Sequence, residues 1–162
     1  MSDTSVIPGS LAVRNLFEDL LGREVTVSPG TPLEQADLPT AVIAVFTTMS
    51  QQLYAVLGME LSLAAGAGAA LGLLPPGAAE DSIDVKKLAP ALSENVLELC
   101  NVLTSLLNVE GAPHVKLHQV INPGMSLPGD VAGHLMILGR RLDLVVEVAR
   151  YGEGKFSLAL TP

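Results

Sequence analysis

Within the 162 residues, the side chains best placed to do chemistry fall in one stretch, Leu92 to Asn108, LSENVLELCNVLTSLLN. Read as a helix turning about 100° per residue, it puts Glu94, Glu98, Asn101, Ser105 and Asn108 within roughly 80° of arc. Leu92, Val96, Leu99, Leu103 and Leu106 take the opposite side. Glu98 and Asn101 then stand one turn apart, presenting a carboxylate and a carboxamide on one face. The solvated face of an ordinary amphipathic helix has the same pattern, so both readings stand at this point. Asn95 lies near the edge of the apolar arc, where burial demands a hydrogen-bond partner. Cys100 points to the apolar flank with no CxxC or Cys/His companion, which favours a small core filler over a nucleophile.

The other candidate constellations are weaker. His114 and His118 share one face of a predicted strand with Lys116, and His134 falls on another strand. A cation between the first two disfavours zinc, and no carboxylate completes a ligand set, so no metal site is expected. Gly66, Gly68 and Gly72 lack the GK[ST] of a phosphate loop and read as close-packing positions. Gly139-Arg140-Arg141 is a basic turn in an acidic chain, either an anion or partner contact or a solvated hairpin end.

Composition removes several function classes. The formal charge of −8, with nine basic residues scattered along the chain, opposes nucleic-acid binding, which needs clustered cations. The 3% aromatic content denies single strands a stacking platform and makes the core aliphatic. Leu61 to Leu74, LSLAAGAGAALGLL, is too short to span a bilayer, which takes about 20 apolar residues, and Pro75 and Pro76 close it. Its small residues predict a helix packed closely against a sheet. A lone cysteine and an opening MSDTSVIPGS without a basic leader point to the cytoplasm.

These elements have to position the stretch. Residues 1–9 read as a flexible N-terminus and 10–162 as a single domain. Ser10 to Leu21 predicts a helix ending at Gly22, and Glu24 to Ser28 a short strand. Pro29 to Pro39 is a loop, and Ala41 to Thr48 with Gln52 to Gly58 a hairpin. Pro75 to Ser82 is expected to be a loop, and Asp84 to Leu88 a short turn. The central helix starts near Ala89, because Pro90 suits a first turn. Four strands then follow: His114 to Ile121, Val131 to Leu138, Leu142 to Arg150 and Lys155 to Leu160. Asn15-Leu-Phe-Glu-Asp-Leu-Leu-Gly22 lines up with Asn101-Val-Leu-Thr-Ser-Leu-Leu-Asn108, each followed by a strand-like run, which predicts a duplicated α-β-β-β unit. Ala12 then occupies the place of Glu98, so one site per chain follows.

With the element order in hand, Glu98-Leu99-Cys100-Asn101 resembles the ExxN signature of the CheC/CheX class of chemotaxis phosphatases. The resemblance covers most of the chain and implies an α+β, CheC-like fold: tandem α-β-β-β units, a largely antiparallel sheet, and helices packed on it. It implies hydrolysis of the aspartyl phosphate on a CheY-like response-regulator receiver. Asn101 would hold a water in line with the acyl phosphate, and Glu98 would pair with the receiver's lysine. Glu94, Ser105 and Asn108 would belong to the partner-binding face. Mg²⁺ would come with the receiver, so the chain itself needs no cofactor. Glu94 stands where that family often has Asp or Ser, and Pro123 is one residue from the place where it has a proline. The alternative on the same fold is a non-catalytic interaction module like the flagellar switch proteins. A homodimer through open sheet edges is expected under either reading.

Overall fold

The computed structural model describes residues 7–137 and 139–161. The expected flexible N-terminus therefore lies outside the described residues up to position 6. The chain runs α1 (Ser10–Leu21), β1 (Val25–Pro29), a 3-10 segment Gln35–Thr40, β2 (Val42–Thr48), β3 (Leu53–Met59), α2 (Leu61–Leu71), α3 (Pro76–Val85) and α4 (Pro90–Leu103). A short 3-10 turn (Thr104–Leu106), β4 (Val115–Ile121), α5 (Gly129–Met136), β5 (Arg141–Val148) and β6 (Gly152–Leu160) complete it. The six strands form one sheet in the order β1-β5-β6-β3-β2-β4, with every pairing antiparallel. This is the α+β architecture that the tandem-unit reading predicts.

The sheet order carries the duplication. Exchanging β1 with β4, β2 with β5 and β3 with β6 returns the same order reversed, so the two halves meet at the central β3–β6 pair, where Leu57 faces Leu158. The helices obey the same correspondence at a spacing of 86 residues (101 − 15). Val13 and Leu99, Phe17 and Leu103, and Leu21 and Leu107 are all buried. One unit thus repeats its burial pattern even where its residue types differ.

Strand alternation sorts the core into two faces. Val42, Ala44 and Phe46 of β2, Leu57 and Met59 of β3, and Phe156 and Leu158 of β6 join one cluster with the buried sides of α1, α2 and α4. Ile43, Val45 and Val56 face the other way, against Leu33, Leu38, Val131 and Leu135. The site-bearing helix rests on the first, larger layer.

Three expected elements are corrected. Pro75 to Ser82, expected as a loop, forms most of α3: Pro76 occupies the first turn, where its missing N–H costs nothing. The helix buries Ala79 and Ser82 and stops at Lys86 in the left-handed conformation (φ 58°), with the N–H of Lys87 donating to the Ser82 carbonyl at 3.1 Å. Val131 to Leu138, expected as a strand, is α5 up to Met136, while Leu138 lies outside the described residues. A nearly continuous apolar run does not separate strand from buried helix. Here Val131 and Leu135, four apart, turn to the core, and Asp130 in the first turn suits the helix dipole. The stretch to Asn108 does not stay helical to its end. Regular helix stops at Leu103, where the Thr104 hydroxyl donates back to the Cys100 carbonyl (3.2 Å) and the Ser105 hydroxyl to that of Val102 (2.9 Å).

Candidate functional site

Helix α4 is fixed before its polar face is considered. Pro90 opens it, and Ala89 at its N-cap donates to the Ser82 hydroxyl (3.1 Å), tying its start to α3. Leu92, Val96, Leu99, Cys100 and Leu103 are buried. Against them α2 comes unusually close. A Cβ at Gly68 would lie 3.0 Å from Val96 Cγ2 and 3.3 Å from the Leu92 carbonyl oxygen, and one at Gly72 would lie 2.3 Å from Asn95 Nδ2. The small residues of α2 serve this helix contact as well as the sheet. Asn95, half-buried, donates from Nδ2 to the Gly68 carbonyl at 2.9 Å, the partner its position demanded. Cys100 is fully buried, and desolvation pushes its thiol up to about 12, which suits core packing and opposes nucleophilic chemistry.

The opposite face is open. Glu94, Glu98, Asn101 and Ser105 are exposed, and Glu94, Glu98 and Asn101 make no side-chain hydrogen bond or ion pair with any described residue. Three residues apart on a regular helix, Glu98 and Asn101 have Cβ atoms about 5–6 Å from each other. The two heads can therefore address one small target together. Leu97, one turn before Asn101, is 47% exposed and adds an apolar contact beside them.

Ser105 and Asn108 fare differently from the pair. The Ser105 hydroxyl proton is spent on Val102, leaving its oxygen as an acceptor. Asn108 stands beyond the helix, where Nδ2 donates to the Val115 carbonyl (2.9 Å) and Oδ1 accepts from the Val115 N–H (2.8 Å). Both of its polar atoms hold the entry to β4.

In the first unit Ala12 stands at the Glu98 position, and the Asn15 carboxamide oxygen accepts from Arg14 at 2.9 Å. A groove of about 470 Å³ separates the two helices. Its lining includes Leu16 with Val102, Asp19 with Ser105, and Leu20 with Leu106. Each pair is 86 residues apart, so the groove lies along the pseudo-symmetric seam of the duplication. Sequence reasoning aligned these positions but did not see that they face one another; the 86-residue offset was the available signal.

The remaining candidates are placed elsewhere. His134, expected on a strand, lies on α5, because Val131 and Leu135 bring that segment to the core as a helix. Among the described residues no group of three or more His, Cys, Asp or Glu is arranged to hold a metal ion. Arg141 of the basic turn is a fixed structural residue. Its guanidinium meets Asp143 in a two-point contact (2.8 and 3.0 Å) and donates to the Leu135 and Ile137 carbonyls at the end of α5 (2.8 and 2.7 Å). Among the described residues no helix is long and apolar enough to cross a membrane.

No family sequence profile matches the chain, and no curated protein sequence matches it. Solved structures do. The FliM middle domain from H. pylori superposes with a TM-score of 0.58 at 8% identity, over 93% of this chain and 84% of that one. A chain of the FliG-FliM complex, also from H. pylori, gives 0.55 at 9%, over 93% and 85%. CheX in the CheX-CheY-BeF3-Mg²⁺ complex from Borrelia burgdorferi gives 0.50 at 12%, over 93% and 94%. At such identities the likeness is one of fold, and the fold is the one implied by the ExxN resemblance. It extends to nearly the whole chain.

Proposed function

We propose, taking the CheX and FliM middle-domain fold as the premise, that this chain dephosphorylates the aspartyl phosphate of a response-regulator receiver and that α4 supplies the reacting pair. The observation that carries the reading is the state of Glu98 and Asn101: adjacent, exposed and without side-chain partners among the described residues, on a helix whose other side is locked into α2 and the sheet. A carboxylate and a carboxamide held ready on a rigid surface are suited to act on something brought to them.

An acyl phosphate is reactive already, so orienting a water in line with phosphorus supplies most of what hydrolysis needs. Asn101 projects a carboxamide whose oxygen can accept a hydrogen bond from that water and whose NH₂ can donate to a phosphoryl oxygen. Glu98, one turn earlier, offers a carboxylate to a cation on the receiver and so fixes the angle at which Asn101 enters. The receiver brings Mg²⁺, and this chain needs no cofactor of its own. Leu97 and the α1–α4 groove provide apolar surface beside the pair. CheX from Borrelia burgdorferi was solved in complex with CheY, and the proposal brings the same kind of partner to this chain. The work would be cytoplasmic, where such receivers act, and a homodimer would form through one of the open sheet edges, β1 or β4; sedimentation equilibrium reads that directly.

The test is phosphate release from a panel of phosphorylated receivers with Mg²⁺ present. Asn101→Ala should lose about 100-fold or more in rate with an unchanged melting curve, and Glu98→Ala should raise KM more than it lowers kcat. Full activity in Asn101→Ala would sink the assigned mechanism.

A second reading is favoured by the higher structural overlap with FliM, 0.58 against 0.50 for CheX. Under it the chain is a non-catalytic interaction module. Partner binding would then survive substitution of both Glu98 and Asn101, and no receiver in the panel would lose phosphate faster.

A further inference from the structure

We infer that Asn95 is a positioning residue for the α4 pair: its hydrogen bond to α2 sets the rotation of α4 about its own axis, and with it the direction in which Glu98 and Asn101 are presented. The consequence for catalysis rests on the phosphatase reading; the setting of the helix does not. The half-buried Asn95 carboxamide donates from Nδ2 to the Gly68 carbonyl at 2.9 Å. That oxygen also accepts the Gly72 N–H at 3.2 Å, so both of its lone pairs are used. The carboxamide reaches it through a notch that a larger residue would close: a Cβ at Gly72 would lie 2.3 Å from Nδ2 and 3.3 Å from Cγ. Helix α2 is itself held in place. Its Ser62 hydroxyl donates to the Glu153 carbonyl at 2.8 Å, and a Cβ at Gly66 would lie 2.6 Å from the Tyr151 carbonyl oxygen.

The other contacts of α4 cannot set this angle as sharply. Leu92, Val96, Leu99 and Leu103 are buried aliphatic side chains, and the attraction that buries them is non-directional. A hydrogen bond weakens steeply with distance and angle, and a single asparagine within an apolar helix contact fixes register. Asn95 stands three residues before Glu98 and six before Asn101 on one uninterrupted helix, which carries its setting to both. The Asn101 head lies roughly 6 Å from the helix axis, where a turn of about 10° moves it by about 1 Å. A displacement of that size can cost up to about 100-fold where a water must be held in line. The first unit has no such device. Gly9, the counterpart of Asn95 at the same 86-residue offset (95 − 9), precedes α1 and has no side chain to donate. The lock is confined to the copy that bears Glu98.

The test compares the parent, Asn95→Ala, and Asn95→Ala combined with Gly72→Ala, whose added methyl occupies the space the carboxamide leaves. Residual dipolar couplings of the ¹⁵N-labelled full chain read the angle of α4 without any partner. In both variants the periodic pattern of the α4 amides should shift in phase by about 10° or more, or shrink in amplitude, while the couplings of β5 and β6 stay as they are. Phosphate release from the receiver panel reads the consequence. For Asn95→Ala kcat should fall at least about tenfold, with KM changed by less than about threefold because a solvated Glu98 ion pair is weak and yielding. The double variant should regain most of the melting temperature that Asn95→Ala loses, since the Gly72 backbone (φ −87°) admits alanine, and none of the lost kcat. A merely structural role would return both together. If Asn95→Ala does not fold, the double variant, its hollow filled, carries the same measurements. Unchanged couplings overturn the proposal whatever the activity, and an unchanged kcat in Asn95→Ala or a restored one in the double variant overturns the positioning role. A parent that dephosphorylates no receiver, with the couplings shifted in the variants, would remove the phosphatase reading alone and support the setting of the helix.

Discussion

Replacing Gly66 by alanine sets two physical effects against each other at one atom. In the middle of α2, helix propensity alone favours alanine by about 0.8–1 kcal/mol. A Cβ at this position, however, would lie 2.6 Å from the Tyr151 carbonyl oxygen and 3.4 Å from the Tyr151 Cβ. A carbon and a carbonyl oxygen normally approach to about 3.3 Å, so the backbones must separate by roughly 0.7 Å. Tyr151 cannot easily retreat. Its N–H donates to the Val148 carbonyl (2.9 Å), its hydroxyl to that of Leu74, and the Arg23 guanidinium lies 4.8 Å from its ring centre. Overpacking of this kind costs about 1–3 kcal/mol, leaving a net loss of about 0–2 kcal/mol after the propensity gain. At about 2–4 °C per kcal/mol for a chain of this size, the melting temperature should fall by up to about 8 °C. Gly133→Ala is the control: it lies within α5, where a new Cβ meets nothing within 4 Å. It should raise the melting temperature by about 1–4 °C. Calorimetry of the two variants beside the parent decides the matter. If Gly66→Ala rose as Gly133→Ala does, α2 would not be seated against Tyr151 at the β5–β6 turn as this distance requires.

Further measurements address other parts of the chain. Cys100 should resist alkylation at pH 8 in the folded protein and react freely in denaturant, because burial raises its thiol to about 12 from 9.0. An acid whose folded pKa lies above its unfolded value stabilises the fold below the unfolded pKa and loses that contribution as pH rises through the folded one. Stability should therefore decline above about pH 9, and Cys100→Ala should flatten the decline measured by urea titration. Asn108→Ala removes both bonds to the Val115 backbone and should cost about 1–3 kcal/mol in the same experiment; an unchanged midpoint would show that β4 needs no such anchor. Arg141→Ala leaves Asp143 and two carbonyls without their donor at a site where the side chains are only 8% and 13% exposed. The expected loss is about 3 kcal/mol, with Arg141→Lys recovering part of it because an ammonium cannot reproduce the two-point contact.

The legible parts of the fold were those where one periodicity dominates. α1 carries a helical apolar side and a terminal Gly22 at φ 66°, and β5 alternates cleanly with Leu144, Val146 and Val148 inward. α5 was missed because Val131 to Ile137 is apolar at almost every step, and only the core decides which two residues turn inward. α3 was missed because its prolines and glycine outweighed a weak helical pattern, although Pro76 in fact begins the helix. Arg141 read as a surface turn because its four acceptors come from α5 and β5 and converge only in three dimensions.

For the candidate site the division is similar. The sequence by itself determined that Glu94, Glu98, Asn101 and Ser105 share a face opposite Leu92, Val96 and Leu99, since that follows from helical rotation alone. It also determined that the first unit lacks the glutamate, because the two copies align residue by residue. Tertiary structure alone decided which of those polar heads stay free. Asn95 and Asn108 are the same residue type as Asn101, on or just beyond the same helix, yet they are consumed by the Gly68 carbonyl and the Val115 backbone. A carboxamide's availability depends on whether a buried donor or acceptor lies within reach. That is set by how closely α2 and β4 pack against the helix, and no local pattern in the chain encodes it.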